Sequence, residues 1–205
     1  MILSRVRDPR LITVRRGGSL TDAHYQLLTL WAATCAEHVL ALFENVCPSD
    51  LRPRLAIDAA RAWVRGDMKM MQARAAGGHS MGAARPLSGA ARFAAYAAGQ
   101  AACVPHVAEH DLGAAAYAIK AVQSATTSEK ARLAGIRERD WQRDQLPPEI
   151  RDLVLEDQQR RNDICWQVFS PEQSLRSMPQ AADETPGNWF TSQSRITNDD
   201  RSRRL

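Results

Sequence analysis

The chain predicts an all-α fold: a single-domain helical bundle, or a short stack of antiparallel helical hairpins, with about seven helices, an extended N-terminal arm and a disordered C-terminal tail. Three observations lead there. Of the 33 alanines, 31 fall between Ala23 and Ala134, and alanine both favours the helix and lets helix backbones approach. Aromatic residues are only 6% of the chain, and the β-branched runs that build a large sheet are missing. Apolar residues recur at steps of three and four between breaks rich in Pro and Gly. At 205 residues, 44% hydrophobic and 24% charged, there is room for one ordinary core. The expected division is a basic arm (1–18), an alanine-rich helical domain (19–169) and a flexible tail (170–205).

Taken in order, residues 10–16 (RLITVRR) suit one short strand or an extended arm, ended by Gly17-Gly18. Thr21 is the expected N-cap of the first helix, with Asp22 in its positive first turn. That helix is expected to run to about Glu44, with Leu27, Trp31, Cys35, His38 and Leu42 on one face. Cys47-Pro48-Ser49-Asp50 stops it and opens a second helix. Pro53 sits in that helix's first turn, Leu55, Ala59, Ala62 and Trp63 form its buried face, and it ends at Gly66. Asp67 would cap a third helix through Met68, Met71 and Ala75. The segment Gly77-Gly78-His79-Ser80-Met81-Gly82 is glycine-rich enough to fray or loop. Pro86 opens a fourth helix (Leu87, Ala91, Ala94, Ala98, Ala101), and Pro105 lies near the start of a fifth (Ala108, Leu112, Ala115, Ile119). Thr126 and Glu129 have capping-box spacing for a sixth helix reaching Trp141. Pro147-Pro148 leads into a seventh, Glu149 to about Arg160. Ile164, Trp166 and Phe169 are expected to pack back on the body. Beyond Ser170, prolines and polar residues bury too little to offset ordering entropy.

The 27 Lys+Arg and 23 Asp+Glu leave a net charge of +4, short of what a dedicated nucleic-acid binder carries. The excess is local: Arg5, Arg7, Arg10, Arg15 and Arg16 stand against Asp8 alone. The N-terminus lacks the apolar core of a secretory signal, and no window of about eighteen uncharged apolar residues calls for a membrane. Cys35, Cys47, Cys103 and Cys165 have no disulfide-framework spacing, so reduced thiols and a cytoplasmic location are expected.

Two chemical readings compete with simple helix packing. Cys35 with His38, and His106 with His110, are each spaced to share a helical face, so a zinc site is conceivable if those helices meet. The alternative for these histidines is hydrogen bonding within the core, with Glu37 and Glu109 as adjacent partners. The N-terminal arginines could instead meet phosphates. No GxSxG elbow or phosphate-cradling loop is present.

Residues 12–44 (ITVRRGGSLTDAHYQLLTLWAATCAEHVLALFE), 52–67 (RPRLAIDAARAWVRGD), 106–122 (HVAEHDLGAAAYAIKAV) and 145–155 (QLPPEIRDLVL) together resemble the immunity proteins of bacterial polymorphic toxin systems, in their alanine-rich immunity-five-like group. The resemblance covers roughly residues 10–155. Its characteristic strings fall on Arg15, Arg16, Gly17, Gly18, Glu37, His38, Arg61, Trp63, His106 and His110. It departs where the family carries histidines in its alanine helices and this chain has Gly77-Gly78 and Gln100. The resemblance implies a cytoplasmic helical protein that binds a cognate protein toxin, with no established catalytic residues and no cofactor. Neutralisation of that kind needs only a rigid surface that occludes the toxin across roughly 1,200–2,000 Å², and a basic chain favours an acidic toxin face.

Overall fold

In the computed structural model, which describes residues 3, 4 and 6–170, all regular structure is helical. The elements are α1 (Asp22–His38), a four-residue α2 (Ala41–Glu44), α3 (Arg52–Val64), α4 (Met70–Ala84), α5 (Gly89–Cys103), α6 (His110–Ser124), α7 (Ser128–Asp144) and α8 (Pro148–Arg160). Seven of them run 13 to 17 residues, which is the number the sequence predicts. Three-residue 3₁₀ turns occupy Pro9–Leu11, Val14–Arg16 and Asp163–Cys165. The tail expected to be disordered lies, from residue 171 on, outside the described residues.

Alanine decides the packing. α5 buries Ala91, Ala94, Ala95, Ala97, Ala98, Ala101 and Ala102 and lies against α1, α2, α3, α4 and α6. No helix with one apolar stripe could serve so many neighbours; a helix that is small and apolar all round can. From α3 to α7, consecutive helices pack on one another across short loops, as stacked hairpins do. Larger side chains fill what the alanines leave. Leu28, Trp31, Phe43, Ile57, Leu112 and Ile119 are all buried, and the Trp31 indole N–H donates to the Gln142 carbonyl at 2.8 Å.

Several local expectations change. The glycine-rich segment 77–82 neither frays nor loops but is the continuous second half of α4. A Cβ on Gly77 would sit 2.6 Å from the Gly99 carbonyl oxygen, and one on Gly99 would sit 2.9 Å from that of Gly77. The two glycines are therefore where α4 and α5 touch backbone to backbone, and packing outweighs their poor helix propensity. The first helix stops at His38 instead of Glu44. A tight turn at Val39 and Leu40, with the Leu40 N–H bonded to the Glu37 carbonyl at 3.1 Å, rotates the chain so that Val39, Leu40 and Phe43 are all buried. A straight helix would have pointed His38 and Leu42 inward instead. On α3 the buried face is Ala56, Ile57, Ala59 and Ala60, and Leu55 is outside; the small residues face the neighbouring helices. Asp67 is not a cap: α4 begins after Lys69, whose N–H is taken by the Gln72 side chain at 3.0 Å. Pro86 and Pro105 lie in loops, not in first turns. α7 starts after Thr127 with no side-chain cap, so the Thr126–Glu129 box does not form. Thr21 does cap α1, accepting the His24 N–H at 3.2 Å.

By length and composition alone Asp22–Glu44 could cross a membrane, with mean hydropathy 1.3, but 56% of that window is packed inside the fold. It is a core helix followed by a turn. Near the end of the described chain Phe169 is buried, Trp166 leans edge-on to Tyr117 at 5.1 Å, and Ile164 stays 39% exposed.

The glycines supply a paired test. Gly77→Ala should lower stability by about 1–3 kcal/mol, because the neighbour is backbone and the helices must part. Gly78→Ala, with nothing within 4 Å of its added Cβ, should raise it by about 0.5–1 kcal/mol. Urea unfolding of both variants checks the pair, and equal effects would contradict the backbone contact.

Candidate functional site

The N-terminal segment folds back on itself in place of the strand or extended arm expected over 10–16. The loop is closed by the Leu20 N–H to the Ile12 carbonyl (2.9 Å), the Gly18 N–H to the Thr13 carbonyl (3.1 Å) and the Ser19 N–H to the Pro9 carbonyl (3.0 Å). Gly17 has φ +82°, and a Cβ on Gly18 would lie 2.0 Å from the Ile12 carbonyl oxygen. Both positions require glycine, for two different reasons. Leu11 and Leu20 pin the loop into the core. The loop is thus a fixed roof, and beneath it lies a cleft of about 480 Å³.

Arg7, Arg15 and Arg16 reach the cleft from the roof, Tyr25 from α1, Trp63 from α3, Met70 from α4 and His106 from the turn between α5 and α6. The Tyr25 hydroxyl donates to the Val104 carbonyl at 2.8 Å, and its ring meets Trp63 edge-on at 5.2 Å. Arg15 pairs with Asp22 at 2.7 Å, and Arg7 grips Glu109 through Nε and Nη2. The Arg16 N–H donates to the Thr13 carbonyl at 2.8 Å, but its guanidinium has no hydrogen bond or ion pair among the described residues. The His106 Nδ1 atom is buried without a hydrogen-bond partner. Burial holds the His106 imidazole below its ordinary pKa, and the nearby charges of Arg74 and Arg16 push the same way.

Behind the roof lies a buried ionic cluster. Arg161, 1% exposed, follows α8 and reaches Asp111 of α6 at 3.1 Å. Its Nε donates to Asp157 of α8 at 2.8 Å and its Nη1 to the Glu109 carbonyl at 2.7 Å. Asp157 also pairs with Arg160. Burial pushes the Asp111 carboxyl upward while Arg161 pulls it down. The Arg7–Glu109 pair joins this cluster to the roof, and Arg10 extends it through Asp8 (2.9 Å) and Glu156 (2.5 Å).

The proposed zinc ligands are not brought together: among the described residues no group of three or more His, Cys, Asp or Glu could hold a metal. Cys35 is in the core of α1, where burial raises its thiol well above the ordinary value, so it is no ready thiolate. His38 turns to α7, with Nδ1 at 2.8 Å from Glu138 and its ring stacked 3.6 Å from Trp141. His110 lies 2.7 Å through Nδ1 from the Gln100 side-chain oxygen. Hydrogen bonding therefore holds for both His38 and His110, but His38 is 40% exposed and only its partner Glu138 is buried; neither uses the adjacent Glu37 or Glu109, which serve Arg61 and Arg7. Of the four N-terminal arginines described, three are ion-paired within the chain, so no row of free cations faces a phosphate backbone; Arg5 lies outside the described residues.

Arg15, Arg16, Trp63 and His106 thus meet at one cleft, and Gly17 and Gly18 shape its roof. Glu37 and Arg61 form an α1–α3 clasp at 2.8 and 2.5 Å. Sequence reasoning missed Tyr25 and Met70 and the cluster of Asp111, Asp157 and Arg161, and it read Arg7 only as a cation for phosphate. The i,i+4 spacing of Asp157 and Arg161 was the available signal.

A family model described as Imm-5 like putative immunity protein matches residues 18–149. That span holds Gly18 and α1 to α7; Arg15, Arg16 and Gly17 lie just before it, and nearly all of α8, with Asp157 and Arg161, lies after it. No curated protein and no solved structure matches the chain.

Two outcomes are expected. Arg161→Met, which leaves the buried Asp111 carboxylate without its cation and Asp157 with Arg160 alone, should cost about 3–5 kcal/mol, whereas Arg15→Ala at its exposed pair should cost under about 1 kcal/mol; denaturant titration compares them. The second concerns acid. Burial, with His106, Arg161 and Arg74 nearby, holds His110 down at about 4 against an ordinary 6.5. An unfolded chain then binds a proton that the folded one does not, so this contribution is complete above pH 6.5 and is lost as pH falls through about 4. His110→Gln should flatten the fall in melting temperature between pH 6.5 and 4, and an unchanged slope would refute the assignment.

Proposed function

Because the chain belongs to the Imm-5 like putative immunity protein family, we propose that it neutralises a cognate bacterial toxin by binding and occluding it in the cytoplasm, with no chemistry of its own. The family match over residues 18–149 carries this reading. Two structural features support the mechanism. Helices joined through alanine and glycine contacts present a stiff surface, and a stiff surface loses little entropy on binding. The cleft combines arginine and tryptophan, residue types that dominate binding hot spots. Neither feature requires a reaction.

Co-expression with the toxin encoded beside it checks the reading. Cells carrying both genes should grow, and the two proteins should co-purify. Cell death despite soluble expression of this chain would count against it.

A further inference from the structure

We propose that the cleft beneath the N-terminal roof is the docking point for an acidic side chain of the partner protein, received between Arg16 and His106 against the Trp63 ring. This rests on the immunity reading above and gives it an address.

Local charge is the first argument. Three arginines line the cleft, but Arg7 is matched by Glu109 and Arg15 by Asp22. Arg16 has no acid among the described residues, and its field is felt at both Tyr25 and His106. A guanidinium presents donors in the planar fork that a carboxylate accepts.

An orphaned atom is the second. His106 Nδ1 is buried with no partner, and a buried polar atom left unsatisfied carries the full cost of its desolvation. His106 lines the cleft; once its ring turns toward an incoming carboxylate, the tautomer that carries its proton on Nδ1 donates to that oxygen, and the cost is recovered only in the complex.

Shape and stiffness supply the rest. The volume of about 480 Å³ exceeds one carboxyl group and suits a side chain with part of the backbone that carries it. Trp63 and Met70 give the methylene stem of a glutamate an apolar wall. The roof is already fixed by its glycine turn and by Leu11 and Leu20, so little ordering remains to be done at the moment of binding.

The test uses the full chain. Arg16 is exposed, so Arg16→Glu should leave the melting temperature unchanged, which also guards against misfolding. With the wild type protecting cells from the adjacent toxin, Arg16→Glu and His106→Gln should each lower the tolerated toxin dose by about tenfold or more. Arg16→Lys should keep part of the protection, and the charge-matched Arg132→Glu on α7 should keep all of it. Full protection by both cleft variants would overturn the proposal while leaving the immunity reading intact. Failure of the wild type itself would instead sink the immunity reading. In that case nitrogen-15 NMR of the histidine side chains decides the cleft, with an end-blocked tetraglutamate peptide and inorganic phosphate as probes. The peptide should shift His106 in the wild type and not in Arg16→Glu, and phosphate should shift it less. No shift, or equal shifts from peptide and phosphate, would overturn a site built for a protein carboxylate.

Discussion

One buried guanidinium ties α8 to the start of α6 and, through Glu109, to the N-terminal roof. Arg161 sits where α8 ends, against Asp157 of its own helix and Asp111 of α6, and also donates to the Glu109 carbonyl. Taking three charges out of water is expensive, and the arrangement persists only because each ion meets an opposite charge in hydrogen-bonding geometry. Its geometric consequence matters more than its net energy. Glu109, fixed at its carbonyl by Arg161, offers its carboxylate to Arg7, so the N-terminal roof is tied to the same cluster. Release Arg161 and Glu109 loses the bond that fixes its carbonyl, which loosens the ionic tie to a roof still pinned by Leu11 and Leu20.

Close packing provides the complementary constraint. Where most helical domains separate their rods with leucine, α4 and α5 meet at Gly77 and Gly99 with their backbones in contact. α5 touches five other helices through alanine alone on most of its surface. Such interfaces have few rotamers to rearrange, and their cost of deformation rises steeply because backbone cannot be repacked. The cleft is therefore carried by a frame that resists adjustment, which suits recognition of a partner of fixed shape better than accommodation of many.

The fold was legible because it is written in long, redundant patterns. Thirty-one alanines over little more than a hundred residues give helix class and number, and single errors cannot overturn so many positions. Single-residue decisions were less legible. Gly77-Gly78 reads as a break from propensity, and only the position of Gly99 on another helix reveals it as a contact. Thr126 and Glu129 match a cap by spacing, yet α7 begins one residue later. For the site, Arg15, Arg16, Trp63 and His106 were visible as motif positions, but not that they converge, because convergence depends on how the roof folds back. The Cys35, His38, His106 and His110 set shows the same limit from the other side. α1 and α6 do pack on each other, but His106 lies in the turn before α6, so it does not share a helical face with His110, and His38 turns to α7.

Charge makes the point most sharply. The excess of arginine near the N-terminus invites a reading in terms of phosphate or of diffuse attraction, because a sequence counts ions without pairing them. In the fold Arg7, Arg10 and Arg15 each face a carboxylate of the chain itself, and a paired surface ion contributes little to a long-range field. Of the described N-terminal arginines, Arg16 alone is left without a carboxylate, in a cleft also lined by His106, whose buried Nδ1 has nothing to bond. A net charge of +4 thus describes the molecule less well than the position of Arg16, since recognition at short range is decided by which charge has been left unanswered.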